Sequence, residues 1–173
     1  MATSPLRVDW VDLASVPGLR GVTAARGRLG MAGVGGLDLA VVAEGLRQDH
    51  DADAFLLLLE DHEVPDGRVP EIEGEGFELL RHPIRDMDVP SDRELLRLTL
   101  DDVLGRLHAG QTVVIACYGG YGRTGTIVGC LLRDAGLDGA AAVALARATR
   151  PGAIERPGQV TFVEDWDAQW REG

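Results

Sequence analysis

The sequence predicts a single α/β domain with a central, mostly parallel (mixed) sheet of about four or five strands and helices on both faces. Three observations carry this. Short apolar runs alternate along the chain with segments whose apolar residues recur at helical spacing. The run "TVVIAC" passes through a glycine-rich turn into the helical pattern "TGTIVGCLLRDA", the order in which such layers are built. A length of 173 residues suits one domain with one sizeable core, and no repeat or long linker divides it.

In chain order, "LRVDWVDL" and "LRGVTAARG" are expected as short strands and the glycine-rich "GRLGMAGVGG" as a loop, so that residues 1–36 hold strands and a loop. Leu37 to Gln48 carries apolar positions at helical spacing. "DAFLLLLE" is short, apolar and bounded by charge, the pattern of a buried strand. "DHEVPDGRVPEIEGEG" is a polar loop. Residues 77–173 open on the strand "FELLRHPI", which Pro83 and the turn "RDMDVP" end. In "SDRE", Ser91 and Glu94 are placed to form a capping box, each satisfying the other's orphan backbone donor. The helix it opens should run to Ala109, burying Leu95, Leu96, Val103, Leu104 and Leu107, with Gly110 as its stop. "TVVIAC" is a central strand, and the next helix buries Ile127, Val128, Leu131 and Leu132. "DGAAAVALARA" is another helix, closed by "RPG", and a last one covers Pro157 to Trp170.

Composition narrows the function classes. All 17 basic residues are arginine, which excludes Schiff-base chemistry and the lysine-bearing nucleotide loops. A net charge of -11 argues against nucleic acid or an anionic membrane surface as partner. No stretch approaches the ~18 to 20 apolar residues of a membrane span, and "MATSPLRVDW" lacks the charged start and apolar run of a signal peptide. With 45% hydrophobic residues and a mean hydropathy near zero, a soluble, cytoplasmic protein is expected. Two cysteines make no disulfide framework, so Cys117 and Cys130 are expected as free thiols.

The chemistry concentrates in "ACYGGYGRTG". Gly120, Gly122 and Gly125 spell GxGxxG, yet a dinucleotide site needs a further strand ending near an acid about 20 residues on, and two helices are expected there instead. The pattern from Cys117 is C-x5-R-T with a glycine midway. A turn of that size between a strand end and a helix start can aim the backbone N–H groups of Tyr118, Gly119, Gly120, Tyr121 and Gly122 at a tetrahedral dianion. Arg123 adds a planar two-pronged donor to two phosphoryl oxygens. The same electropositive nest favours a thiolate at Cys117, placed behind the phosphorus as a nucleophile. An alkoxide leaving group needs a proton, and "HPIRDMDVP" offers Asp86, Asp88 and Asp92. Spacing alone does not choose among the three.

"CYGGYGRTGT" resembles the signature of the cysteine-dependent protein tyrosine and dual-specificity phosphatase superfamily, HCxxGxxR(S/T), and the chain from about Phe77 to Trp170 follows its order of acid loop, helix, signature strand and helical tail. It looks closest to the group that includes the cyclin-dependent kinase inhibitor 3 phosphatase. The resemblance implies a tyrosine phosphatase-like fold and metal-independent hydrolysis of phosphoprotein through a phosphocysteine, with no cofactor. It makes Asp86, in "PIRD", the proton donor ahead of Asp88. Thr124 becomes the hydroxyl that helps the thiolate leave, and Gln159, in "RPGQVTF", the residue that positions water. Ala116 stands where the family has histidine, so the thiolate is expected to be held less firmly and the rate to keep rising to higher pH. Low-molecular-weight phosphatases also use C-x5-R, but near the N-terminus with the acid downstream. Phosphoinositide phosphatases share the acid loop but carry lysines in the signature loop, so a phosphoprotein substrate is favoured here.

A phospho-ligand binding module is the alternative, but such a module has no need of the thiol. Cys130, on an apolar helix, is expected to be structural. The four histidines lack metal-ligand spacing, although His62, after a strand end, could reach the pocket rim. Trp166 and Trp170 are expected to anchor the last helix by packing.

Overall fold

The computed structural model describes residues 5–22, 26–64, 69–72 and 75–169. Its strands are β1 (Val8–Trp10), β2 (Arg28–Gly33), β3 (Ala54–Leu57), β4 (Glu78–Arg81) and β5 (Thr112–Cys117). They form one mixed sheet in the order β1-β2-β5-β3-β4, in which β1 is antiparallel to β2 and every other pairing is parallel. The fully buried β5 lies at its centre. The helices are α1 (Leu39–Glu44), α2 (Val69–Ile72), α3 (Arg93–His108), α4 (Gly122–Asp134), α5 (Gly139–Thr149) and α6 (Pro157–Glu164).

Alternation along the strands divides the core between two faces. Val113, Ile115, Leu56 and Met31 pack with Leu96, Leu100, Val103 and Leu107 of α3, and with the apolar residues of α4, α5 and α6. Val114, Ala116, Phe55 and Leu57 face the other way, onto Leu39, Val42 and Ala43 of α1 and Ile72 of α2. Helices thus cover both faces, as expected of a mostly parallel sheet. No helix among the described residues is long and apolar enough to cross a membrane.

Several local expectations are corrected. The glycine-rich "GRLGMAGVGG" holds β2 rather than being a loop throughout. Its glycines are steric requirements of the sheet: a Cβ on Gly30 would meet the Val8 side chain at 2.4 Å, and one on Gly33 the Gly119 carbonyl oxygen at 2.4 Å. "LRGVTAARG" does not form a strand in its described part; Pro17–Leu19 is a short 3-10 turn, and residues 23–25 lie outside the described residues. The polar loop after β3 holds a 3-10 turn at Asp61–Glu63 and the short α2. Asp92, not Ser91, caps α3, accepting from the Leu95 N–H at 2.9 Å. The buried stripe of α3 is Leu96, Leu100, Val103 and Leu107, so Leu100 joins the core while Leu95, expected inside, is 47% exposed. Gly110 ends the segment with a φ of 84, as expected. The last helix stops at Glu164, and Trp170 lies outside the described residues.

Candidate active site

Four parallel strands end on one edge of the sheet, where open α/β sheets gather ligand groups. Cys117 is the last residue of the central one, and α4 begins five residues on at Gly122. The turn between them lies against the chain that continues β2. The Val34 N–H donates to the Cys117 carbonyl at 3.1 Å and the Gly35 N–H to the Tyr118 carbonyl at 2.8 Å. Gly120 takes a φ of 81, and a Cβ there would come within 2.5 Å of the Ala32 backbone, so only glycine fits. Its N–H donates to Cys117 Sγ at 3.2 Å, the one hydrogen bond to that sulfur among the described residues.

Arg123 leaves the first turn of α4 and is only 2% exposed. Its Nη1 and Nη2 lie 2.7 and 2.9 Å from the two carboxylate oxygens of Glu63, in the 3-10 turn after β3. Nη1 also donates to the Ile84 carbonyl at 3.0 Å, and Nη2 lies 3.3 Å from Asp86 Oδ1. Burial works against the guanidinium charge, but the hydrogen bonds to Glu63 and the nearby Cys117, Glu63 and Asp86 raise its pKa above the usual value. Burial likewise pushes the Glu63 carboxyl up, and Arg123 together with the Glu60 N–H outweighs it and holds Glu63 below the usual carboxylate range.

A small pocket opens on this edge, lined by Asp86, Met87, Cys117, Gly119, Gly122, Arg123, Glu155 and Gln159. The structure therefore brings together Cys117, Arg123, Asp86 and Gln159, which the sequence nominates from three separate stretches. Asp86 is 64% exposed and its Oδ1 accepts from the Met87 N–H at 2.9 Å. Asp88 likewise accepts from the N–H of its neighbour, Val89, at 2.8 Å, and Asp92 caps α3; neither of these two residues lines the pocket. Gln159 is buried, accepts from the Arg156 N–H at 3.1 Å and donates to the Asp88 carbonyl at 3.2 Å, tying the acid loop to α6. Thr124 is fully buried beside Arg123, yet its Oγ1 has no hydrogen-bond partner, Cys117 Sγ included. Tyr118 and Tyr121 are exposed outside the pocket wall, with the Tyr118 ring over Gly35. Ala116 is buried in β5 on the opposite face, between Ala32 and Leu57.

Glu63, which pairs with Arg123, and Glu155, which lines the pocket, are residues of this site that the sequence did not point to. Glu63 lies past the end of β3 in a 3-10 turn and Glu155 just before α6, with nothing local to mark either. Cys130 is fully buried on α4, where burial and the Asp134 carboxylate push its thiol up, in keeping with a structural role. Glu60, His62 and Glu63 each bring one potential metal-ligand atom within 4.8 Å of the others. Glu63 commits both oxygens to Arg123, so the group makes a poor metal site.

A family model described as "Tc-R-P: Polymorphic toxin system, DSP-PTPase phosphatase" matches residues 43–136. Among solved structures, Tk-PTP in its active form is 33% identical, with 81% of this chain and 93% of that one covered at a TM-score of 0.68. Kinase associated phosphatase, solved with its catalytic-site cysteine substituted by serine, is 20% identical, covers 94% of both chains and has a TM-score of 0.76. PTPMT1 in complex with PI(5)P is 21% identical, with 80% of this chain and 88% of that one covered at a TM-score of 0.69. The likenesses to kinase associated phosphatase and PTPMT1 show a shared fold. No curated protein matches the sequence.

Proposed function

Because the chain belongs to the DSP-PTPase family of phosphatases, we propose that it hydrolyses phosphotyrosine or phosphoserine/threonine in proteins through a phosphocysteine intermediate. The observation that carries this reading is the convergence of the Cys117 sulfur, the buried Arg123 fork and Asp86 on one small pocket.

In this reading the backbone N–H groups of Tyr118, Gly119, Gly120, Tyr121 and Gly122 cradle the phosphoryl oxygens, and Arg123 clamps two of them. Glu63 holds the guanidinium in its plane, so the arginine need not be ordered when substrate arrives. The Cys117 thiolate attacks phosphorus in line. The S–P bond forms as the ester P–O bond breaks, and Asp86 gives its proton to the departing oxygen. Water positioned by Gln159 then attacks phosphorus and returns a proton to Asp86. The P–S bond breaks and its electron pair goes back to the sulfur. Thr124, whose hydroxyl has no hydrogen-bond partner among the described residues, is free to turn its O–H to the departing thiolate.

The wall of the pocket supports a singly phosphorylated protein side chain as substrate. Among the described residues Arg123 is the one basic residue that lines it, while Asp86 and Glu155 are acidic. A substrate with several phosphates would set its extra charge against those carboxylates. We place the activity in the cytoplasm, as the composition leads one to expect.

The test is turnover and trapping with defined substrates in the presence of chelator. Radiolabelled phosphopeptides should release phosphate, and rapid denaturation should leave label on Cys117. A higher kcat/KM for phosphoinositides than for phosphopeptides would overturn the protein-substrate assignment. Tight phosphopeptide binding without turnover would make the domain a binding module.

A further inference from the structure

Arg150 lies just past the end of α5, outside the residues that line the pocket, and is 8% exposed. Its Nη2 donates to the Gly119 carbonyl at 3.0 Å, its Nη1 lies 2.9 Å from Asp9 Oδ2 in β1, and its guanidinium carbon sits 4.6 Å from the centre of the Tyr121 ring. Three groups from two parts of the chain, β1 and the turn itself, thus fix a buried cation behind the turn.

The Gly119 carbonyl and the Gly120 N–H belong to one peptide unit. That unit is trans, as no cis peptide bond occurs among the described residues, so its C=O and N–H point in opposite directions. One end is held by Arg150, and the other meets Cys117 Sγ at 3.2 Å. Rotating this peptide would break both bonds at once. A cation on the carbonyl also polarises the amide and makes its N–H a stronger donor. Among the described residues no side chain duplicates this bond, since Ala116 has no donor and the Thr124 hydroxyl makes no hydrogen bond to the sulfur. Among the described residues the other charged groups lining the pocket are Arg123 from α4, Asp86 from the acid loop and Glu155 from the segment before α6, and Arg123 is already paired with Glu63 of the 3-10 turn.

We infer that Arg150, anchored by Asp9, is a positioning residue that acts through the Gly119–Gly120 peptide to hold the Gly120 N–H on the Cys117 sulfur and so favours the thiolate. The inference rests on Cys117 being the reactive thiol of the proposed function, but it can be read without turnover.

The experiment measures the rate of Cys117 alkylation by iodoacetamide against pH, by mass spectrometry, in the full chain. Wild type is compared with Arg150→Met, Arg150→Lys and Asp9→Asn, each checked for a cooperative thermal transition. In Arg150→Met the rising limb should move up by about one pH unit, which is about tenfold less alkylation on the acidic side of the limb and little change on its plateau. Arg150→Lys should recover part of the shift, and Asp9→Asn should move the limb the same way by less. A limb unmoved in folded Arg150→Met overturns the inference, as does a uniform loss at every pH. Should Arg150→Met fail to fold, an unmoved limb in Asp9→Asn overturns it instead. Absence of phosphatase activity in wild type would count against the proposed function and leave this readout intact.

Discussion

Glu63 and Arg123 meet edge to edge, with two oxygens 2.7 and 2.9 Å from two guanidinium nitrogens, although 60 residues separate them in sequence. The pair joins the loop after β3 to the first turn of α4 and fixes the plane of the one basic side chain that lines the pocket among the described residues. Two-point contact leaves the guanidinium little freedom to rotate, which a lysine in its place could not reproduce.

Removing that restraint should cost rate. Glu63→Gln keeps the shape but loses the charge, and kcat/KM for p-nitrophenyl phosphate should fall about tenfold to a hundredfold, as for other small losses of alignment. Because Arg123 holds the Glu63 carboxyl below its usual range, the pair is intact above about pH 4.5 and is lost as pH falls through the folded value. The ratio of wild-type to variant activity should therefore be flat from about pH 5 upward. A ratio that changes through neutral pH would contradict this account.

Asp86 lines the pocket as the proposed proton donor, whereas Asp88 and Asp92 do not line it. Asp86→Asn should slow an alkyl or peptide phosphoester far more than an activated aryl phosphate, since only the poorer leaving group needs the proton. Asp88→Asn should show no such dependence. Equal slowing of both substrates in Asp86→Asn would assign the residue a structural role.

His82, just past β4, is buried, with Nδ1 2.9 Å from Thr99 Oγ1. Burial pushes its imidazole down, against the opposing charge of Asp92. The unfolded chain, titrating near about 6.5, then binds a proton at pH values where the folded protein does not. This contribution to stability is complete above that value and is lost as pH falls through the folded one. Urea denaturation at about pH 7.5 and 5.5 should show a smaller drop in His82→Gln than in wild type. An equal drop would contradict the assignment.

The tail is held by Asp134 of α4. Its oxygens lie 2.6 Å from Arg97 Nη1 and accept from Trp166 Nε1 at 3.0 Å and the Gln169 N–H at 3.2 Å, while the Arg97 guanidinium stacks over the Trp166 ring at 4.5 Å. Asp134→Ala leaves those donors unpaired and should cost about 3 kcal/mol, or about 6 to 12 °C in Tm. A melt shifted by less than about 2 °C would mean that water replaces the carboxylate without loss.

The sequence shows most clearly what is contiguous. Strand, turn and helix from Thr112 to Asp134 are legible because one unbroken stretch carries the apolar run, the glycines and the cysteine-to-arginine spacing. β2 was hidden because Gly30 and Gly33, which read as loop formers, make room for the Val8 side chain and the Gly119 carbonyl. The cap of α3 was misplaced by one residue because Ser91 and Asp92 are both good caps, and only the direction of the incoming chain separates them. Glu63 and Arg150 were illegible for a different reason. Their partners are 60 and 31 residues away, and each acts through a geometry that exists only once the sheet is paired.

The central claim, a cysteine nucleophile acting without metal, is tested most directly by hydrolysis of p-nitrophenyl phosphate in the presence of chelator, comparing wild type with Cys117→Ser. Wild type should turn over and the folded variant should be inactive while still binding inorganic phosphate. Equal hydrolysis by the two proteins would contradict the mechanism.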